Sequence, residues 1–447
     1  MDLKRILIGA LLMPALFADA QTDGKWTLDD CLNYAVANNI SLKKAGLTKK
    51  SATEDWKQSK SELLPSLSAS TSQSVGWRPW INDGTSTVTN GTVANKISKT
   101  YYSGSYGVSA SWTVWNGNKN RNTVKYDKLT AEQAELDSAT TANSIKEQIA
   151  MLYVQILYTA EAIEVNKESL AASVKTEERG QAMLEVGKMS KADLAQLTAQ
   201  RAEEEYNLVD AQTQLADYKL QLKQVLEIAG SEEFDVYIPS TTDEQALADI
   251  PALQTVYEAA LASRPEIAAG QMAIESSDLN ISIAKAGKIP TVGITGSVGT
   301  STSSMTDTSW GNQMKTNFDA SLGLSLSIPI FDNRSTKTSI NKAKIQYEEA
   351  VLDLQETQKD LYSTIEGYWL DATSNQQKYK SATESVKSQQ ESYDLLNEQF
   401  ELGLKNIVEL MTGKTNLLSA LQEKLQSKYM TILDIQLLKF YEEGDIK

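Results

Sequence analysis

The second half of the chain restates the first at fixed offsets, so whatever the first half builds must be built twice. Pro65 and Pro290, 225 positions apart, each open a stretch that alternates small and apolar residues. Trp115-Asn116-Gly117 and Phe331-Asp332-Asn333, 216 apart, each close a second such stretch. The turns Glu185-Val186-Gly187 and Glu401-Leu402-Gly403 are again 216 apart, and each is followed by an acid and a leucine, Asp193-Leu194 and Glu409-Leu410. A repeat of about half the chain means one architecture made twice rather than two unrelated domains. The expected organisation is a leader at 1–20, a first repeat at 21–230, a linker at 231–250 and a second repeat at 251–447.

Each repeat holds a pair of strands, expected at 66–78 with 104–115 and at 291–302 with 317–330. In the first stretch the even positions Ser66, Ser68, Ser70, Ser72, Ser74 and Gly76 are all small, while Leu67, Ala69 and Val75 lie between them. In the second, Ser105, Ser109 and Ser111 oppose Val108, Ala110 and Trp112. In the last, Ser321, Ser325 and Ser327 oppose Leu322, Leu324 and Leu326. Period two with one apolar face is a half-buried strand. A soluble sheet would put Lys, Glu and Arg on its outer face; here that face is almost all Ser, Gly and Thr. The pattern suits a membrane barrel, with Trp112, Leu322, Leu324 and Leu326 toward lipid and Ser68, Ser70, Ser109, Ser111 and Ser325 toward a lumen. Trp77, Trp80, Tyr101, Tyr102, Trp112, Trp115 and Trp310 fall mostly near strand ends, where an interfacial girdle belongs. The polar segments 79–101 and 303–316 are expected to be mobile external loops.

Four strands cannot close a barrel in lipid, because an open edge leaves backbone groups unpaired. The barrel must be shared between subunits. Two copies would give eight strands and a filled interior, and three would give twelve and room for a pore. The small lumen residues favour three.

The helices are long. No proline interrupts the chain from about 120 to 186, and Ile145, Ile149, Leu152, Ile156 and Ile163 recur at coiled-coil spacing. At 1.5 Å per residue such a helix reaches about 100 Å. Hairpins are expected at 120–229 and 336–440, with glycine at Gly187 and Gly403 supplying the positive φ of a tight reversal. Shorter helices precede the strands at about 27–63 and 251–288, interrupted at Asn38-Asn39 and at Ser263-Arg264-Pro265. The linker at 231–250 has six acids, no base and Pro239, and reads as a non-coiled strap.

The N-terminus carries Lys4 and Arg5, an apolar run from Ile6 to Ala18 and the small-x-small site Ala18-Asp19-Ala20. This is the pattern of a secretory signal peptide with a mature start at Gln21. Cys31, the one cysteine, forbids an intramolecular disulfide and lacks the context of a lipidation site. The chain has no histidine, which removes the usual general base and the commonest zinc ligand. With 58 Asp and Glu against 43 Lys and Arg, nucleic acid is not an expected partner. The acid run Glu203-Glu204-Glu205 is expected to be a solvated helix face, and no enzymatic activity, cofactor or metal site is expected.

These features together resemble the TolC-like outer-membrane efflux protein family: a signal peptide, Leu28-Asp29-Asp30-Cys31-Leu32-Asn33-Tyr34-Ala35, Leu64-Pro65-Ser66-Leu67, two strand pairs, and two hairpins with a Glu-x-Gly turn. The resemblance covers essentially the whole mature chain. It implies an α+β membrane protein: a homotrimer whose twelve-stranded outer-membrane β-barrel, four strands per chain, is continuous with a long periplasmic α-helical coiled-coil barrel. It implies the exit duct of a tripartite efflux or type I secretion system in a Gram-negative outer membrane. The partners would be membrane lipid, a periplasmic adaptor (membrane fusion protein) and an inner-membrane pump. Gly187, Leu194, Gly403 and Leu410 would form the tips where the adaptor docks. Glu409, with Asp193 at the same place after the first turn, would contribute to a closed entrance. Thr412 stands where the family archetype has a second acid, so a double acidic ring is not expected. The competing reading is a structural, trimeric envelope coiled coil without transport, which pore conductance would distinguish.

Overall fold

The computed structural model describes residues 24–87, 94–230, 234–239 and 242–444. The leader at 1–20 and the mature start lie outside them. In chain order the elements are α1 (Leu28–Asn38), α2 (Ile40–Ser61), β1 (Ser66–Trp77), β2 (Gly84–Thr87), β3 (Ala94–Ile97), β4 (Thr100–Trp115), α3 (Lys119–Glu185), α4 (Lys191–Val225), α5 (Asp243–Ala246), α6 (Leu253–Ser263), α7 (Pro265–Ala286), β5 (Thr291–Ser303), α8 (Trp310–Thr316), β6 (Asp319–Ser327), α9 (Ser335–Glu401) and α10 (Ile407–Glu443). The offsets of the sequence recur in the element bounds. Helices α1 and α2 begin 225 positions before α6 and α7, and α3 begins 216 before α9, with 67 residues in each of the last two.

The chain divides into two compact units. One comprises 46–137 and 268–356 and holds the sheet. Its order is β1-β4-β5-β6, antiparallel throughout, so β1 and β6 are open edges. The register carries a row of serines across all four strands, Ser68–Ser109–Ser297–Ser321. Strand β4 starts at Thr100, earlier than expected, and β6 is shorter than the expected 317–330. A bulge at Val114 lets β4 bend before the turn. The two expected loops hold regular structure instead. Strands β2 and β3 pair antiparallel, and α8 is docked by the buried Gln313, which receives a bond from Ser303 N (2.7 Å) and donates to Thr308 O (2.6 Å). Both β4 and β6 are followed by the same left-handed turn: Gly117 and Asn118 have φ of 66° and 64°, Asn333 and Arg334 of 51° and 67°.

The other unit comprises the chain up to 45, 138–267 and from 357 onward. Its buried residues include Ile149, Leu152 and Ile156 of the expected α3 stripe, Ile365, Ala372 and Tyr379 of α9, and Tyr429, Leu437 and Leu438 of α10. The interruptions in the short helices are caps. Asn39 Oδ1 accepts from Ser41 N at 2.8 Å, restarting the chain as α2. Pro265 opens α7, where its missing N–H costs nothing. The strap is held to the N-terminal segment, since Trp26 N donates to Asp235 O and Tyr237 N to Trp26 O, with Val236 fully buried. Asp235 is braced by Lys219 (2.6 Å) and Lys25 (3.3 Å). Within the strap, α5 is one capped helical turn.

Candidate channel wall and entrance

In the sheet unit, side-chain alternation sorts cleanly into two faces. Leu324 is 76 % exposed, and Leu322 and Leu326 lie beside it on the same face with Trp112, Ile294 and Val298. Contiguous apolar surface of this kind is rare on monomeric soluble proteins and marks a face that meets a protein or a membrane. Among the described residues no helix is long and apolar enough to cross a membrane. The opposite face pairs hydroxyls. Ser68 and Ser109 Oγ are 2.9 Å apart, Ser66 and Ser111 2.8 Å, and Ser74 and Ser103 2.6 Å. Ser70 lies opposite Gly107, and Ser325 Oγ donates to Gly293 O at 3.3 Å. Small residues are required where strands crowd: a Cβ on Gly293 would meet Ser325 Oγ at 2.9 Å.

The aromatics are divided between the strand ends. Trp112 and Trp115 close β4, and the indole of Trp112 donates to Leu63 O at 2.9 Å. Trp77 ends β1 and Tyr102 begins β4 at the other end. Trp310 of α8 meets Tyr106 edge-on at 6.3 Å. Tyr101 is an exception to the girdle. The register puts it opposite Gly76, on the serine face, where the Arg78 guanidinium lies 4.5 Å from its ring.

In the helical unit, the two hairpin turns share one backbone solution. Gly187 and Gly403 have φ of 70° and 72°. Lys188 N bonds Met183 O and Leu404 N bonds Gln399 O, both at 2.8 Å, closing the helix C-termini with a Schellman pattern. The next helices are capped by Ser190 and Asn406. Asp193 N donates to Ser190 Oγ (3.0 Å), whose hydroxyl donates back to Asp193 Oδ2 (2.8 Å). Glu409 N donates to Asn406 Oδ1 (2.9 Å), while Asn406 N donates to Glu409 Oε2 (3.3 Å), a complete capping box. Lys405 Nζ reaches Glu409 Oε1 at 2.6 Å, and this bond holds the Glu409 carboxyl below the usual carboxylate range. Both tip acids therefore begin a helix, and Glu409 also has its own cation.

Leu410, expected on a docking surface, is buried with Leu197, Phe400 and Ile407 in a local core, and Leu194 is half-buried. The exposed apolar residues at the tips are Val186, Leu402, Leu404 and Val408. Arg179 of α3 pairs with Glu401 of α9 beside them.

Above the tips lies a group that sequence reasoning placed wrongly. Glu204 is 2 % exposed, not solvated, and Lys414 Nζ approaches it at 2.9 Å. Lys414 also donates to Ser169 O (2.7 Å) and Ser173 Oγ (2.5 Å), and Ser169 and Gln200 donate to Glu204. Burial draws the Lys414 ammonium below its usual range against the pull of Glu204. Glu203 and Glu205 are exposed, as expected of that run. A second buried cluster has Arg264 stacked on Tyr441 (3.7 Å) and 3.4 Å from Glu147. Asp434, which accepts a bond from Asn375 (3.0 Å), is pushed up to about 6 by burial. No group of acids or Cys31 among the described residues is arranged to hold a metal.

A profile of the "Outer membrane efflux protein" family matches residues 31–226 and again 256–437. The outer membrane efflux protein BepC of Brucella suis is 22 % identical over 432 residues, spanning 96 % of this chain and 88 % of that protein. The outer membrane protein TolC of Vibrio cholerae is 20 % identical over 313 residues, 69 % of this chain and 70 % of that one. Among solved structures, the outer membrane protein VceC of Vibrio cholerae superposes with a TM-score of 0.76 at 18 % identity, covering 92 % of this chain and 95 % of that one.

Proposed function

The chain belongs to the outer membrane efflux protein family, a channel component of the Gram-negative outer membrane, and from that premise we propose that three copies form the exit duct of a tripartite efflux or type I secretion assembly. The observation that carries this is the four-stranded sheet with β1 and β6 unpaired, apolar on one face and hydroxyl-lined on the other. In lipid those two edges must be paired, and a second and third copy supply the pairing. Twelve strands give a bore that the small Ser, Gly and Thr side chains leave open. The double family match and the repeated element bounds support an internal duplication, so each protomer contributes two similar strand pairs and two similar hairpins.

The tips are the docking site for a periplasmic adaptor, which links the duct to an inner-membrane pump. Val186, Leu402, Leu404 and Val408 supply the apolar surface an adaptor would cover, with Gly187 and Gly403 shaping the turns, Leu194 half-buried beside them and Leu410 in the local core. Asp193 and Glu409 contribute to the closed entrance through their helix starts. Efflux and protein secretion use the same duct, and the pump chooses the cargo.

Native mass spectrometry of the protein extracted from membranes, with conductance in a planar bilayer, tests this reading. The expected result is a trimer that forms discrete conducting channels. A trimer without conductance would support the structural envelope protein instead, and a monomer in membranes would end both.

A further inference from the structure

The unpaired strand edges have a register that the chain itself specifies. The offsets of 225 and 216 carry the β1–β4 pairing onto the β5–β6 pairing residue for residue. Ser66 lies opposite Ser111, and their counterparts Thr291 and Ser327 are opposite one another. Ser74 and Ser103 likewise correspond to Gly299 and Asp319, again a pair. The same rule has one application left. The β4–β5 junction lies between the two repeats of a single chain, so its counterpart lies between β6 of one chain and β1 of another.

We propose that β6 of one protomer pairs antiparallel with β1 of the next in the register of the β4–β5 junction. This puts Ser325 opposite Ser72 and Asp319 opposite Arg78, with Leu64 of the next protomer seated on the turn at Asn333. It rests on the shared-barrel reading and says which residues meet. Ser109–Ser297 in β4–β5 becomes Ser325–Ser72, and Ser111–Thr295 becomes Ser327–Ser70. Ser103–Ser303 becomes Asp319–Arg78, an acid and a base where the parent pair has two hydroxyls. Every matched pair keeps its faces, with Leu324 opposite Gln73 and Leu322 opposite Val75 on the apolar side.

The corner below the strands extends the correspondence. Within the chain, Ile289 packs on the left-handed turn after β4, so closely that a Cβ on Gly117 would lie 2.7 Å from it. The equivalent turn after β6 has the same sign of φ at Asn333 and Arg334, but no residue of its own chain corresponds to Ile289 there. Leu64 is that residue by position, and it is 66 % exposed in the single chain. The pair Trp115–Val292 becomes Phe331–Leu67, two more apolar side chains left bare in one copy. All three lose their exposure at one seam.

Thiol cross-linking in membranes tests the register, in a background carrying Cys31→Ser to remove the one native thiol. Ser72→Cys with Ser325→Cys should give linked dimer and trimer on denaturing gels with a short bifunctional thiol reagent. Ser72→Cys with Ser321→Cys, on the same face but four residues out of register, should link at least tenfold less. Ser109→Cys with Ser297→Cys should lose both thiols to a link within one chain, leaving the band at the monomer position. A native trimer that links Ser72 to Ser321 in preference to Ser325 overturns the register while leaving the duct reading intact. Absence of any trimer fails the duct reading itself. Independently, Asp319→Arg should reduce trimer yield, and adding Arg78→Asp should restore it. Failure of the second change to restore the first would separate these two residues.

Discussion

The sheet and the hairpin tips solve opposite problems with the same repeat. The tip leaves Val186, Leu402, Leu404 and Val408 exposed but keeps a core of its own: Leu197, Phe400, Ile407 and Leu410 pack within one chain, and Glu204 with Lys414 adds a buried ion pair. The sheet leaves Leu322, Leu324 and Leu326 outside and has no core of its own. Stability of the tips is therefore internal, whereas stability of the sheet comes from what surrounds it. Substitutions in the two regions should accordingly fail in different assays.

The largest effect is expected at the buried pair. Lys414→Ala leaves Glu204 charged and without its cation, and should destabilise the helical unit by about 3–5 kcal/mol. Denaturant unfolding in detergent should show the loss, and the double change Glu204→Gln, Lys414→Met should recover most of it. A loss below 1 kcal/mol would mean that the tip does not depend on its interior as argued. In the sheet, Leu324→Arg should cost roughly 2–4 kcal/mol at a bilayer midplane. Its neighbour Ser325→Arg should insert normally and alter conductance. Equal insertion defects from both would erase the distinction between the two faces.

The helical interior also carries charge that opposes folding. The Asp434 pKa rises from 3.8 to about 6 on folding. The stability this group contributes is fully present below pH 4 and is lost as pH rises through 6. Asp434→Asn should thus stabilise the protein at pH 8 by up to about 3 kcal/mol. The gain should vanish by pH 4, read as a convergence of melting curves. A constant difference across that range would show that packing, not charge, separates the two proteins. A smaller effect is expected at the turn. A Cβ added at Gly403 would meet no atom within 4 Å, so the cost of Gly403→Val comes chiefly from holding a side chain at positive φ, about 1–2 kcal/mol. Trimer assembly should survive it and export should not, because the substitution reshapes the proposed docking face. The least effect belongs to Glu409→Gln. With Lys405 already beside the carboxylate, cation selectivity should fall modestly, and only at low salt where screening is weakest. No change there would assign Glu409 to capping alone.

The elements were legible because each has its own period. Alternation over β1, β4, β5 and β6 and heptads over α3 and α9 are local patterns, and the repeat supplied a second reading of each. What escaped was orientation. Three consecutive glutamates look equally solvated in sequence, yet successive residues on a helix point about 100° apart. Only Glu204 turns inward, toward a lysine 210 positions away. Leu410 was visible as a leucine at a tip but not as one facing Phe400. The tip acids were legible as acids, whereas their capping bonds become apparent only with Asn406 and Ser190 in place. Helix α8 was hidden by its short polar sequence, which fits a loop equally well until Gln313 is seen buried against Ser303.

If the serine face lines the duct as proposed, its paired hydroxyls have a consequence for the cargo. In contacts such as Ser68–Ser109 and Ser297–Ser321 either oxygen can be the donor. A hydroxyl turns its hydrogen toward an anion or its lone pairs toward a cation by rotating one bond. Such a surface is amphoteric in its hydrogen bonding without carrying formal charge. In the proposed duct such a surface would wet cargo of either polarity alike, which would leave chemical discrimination to a step before the molecule arrives there.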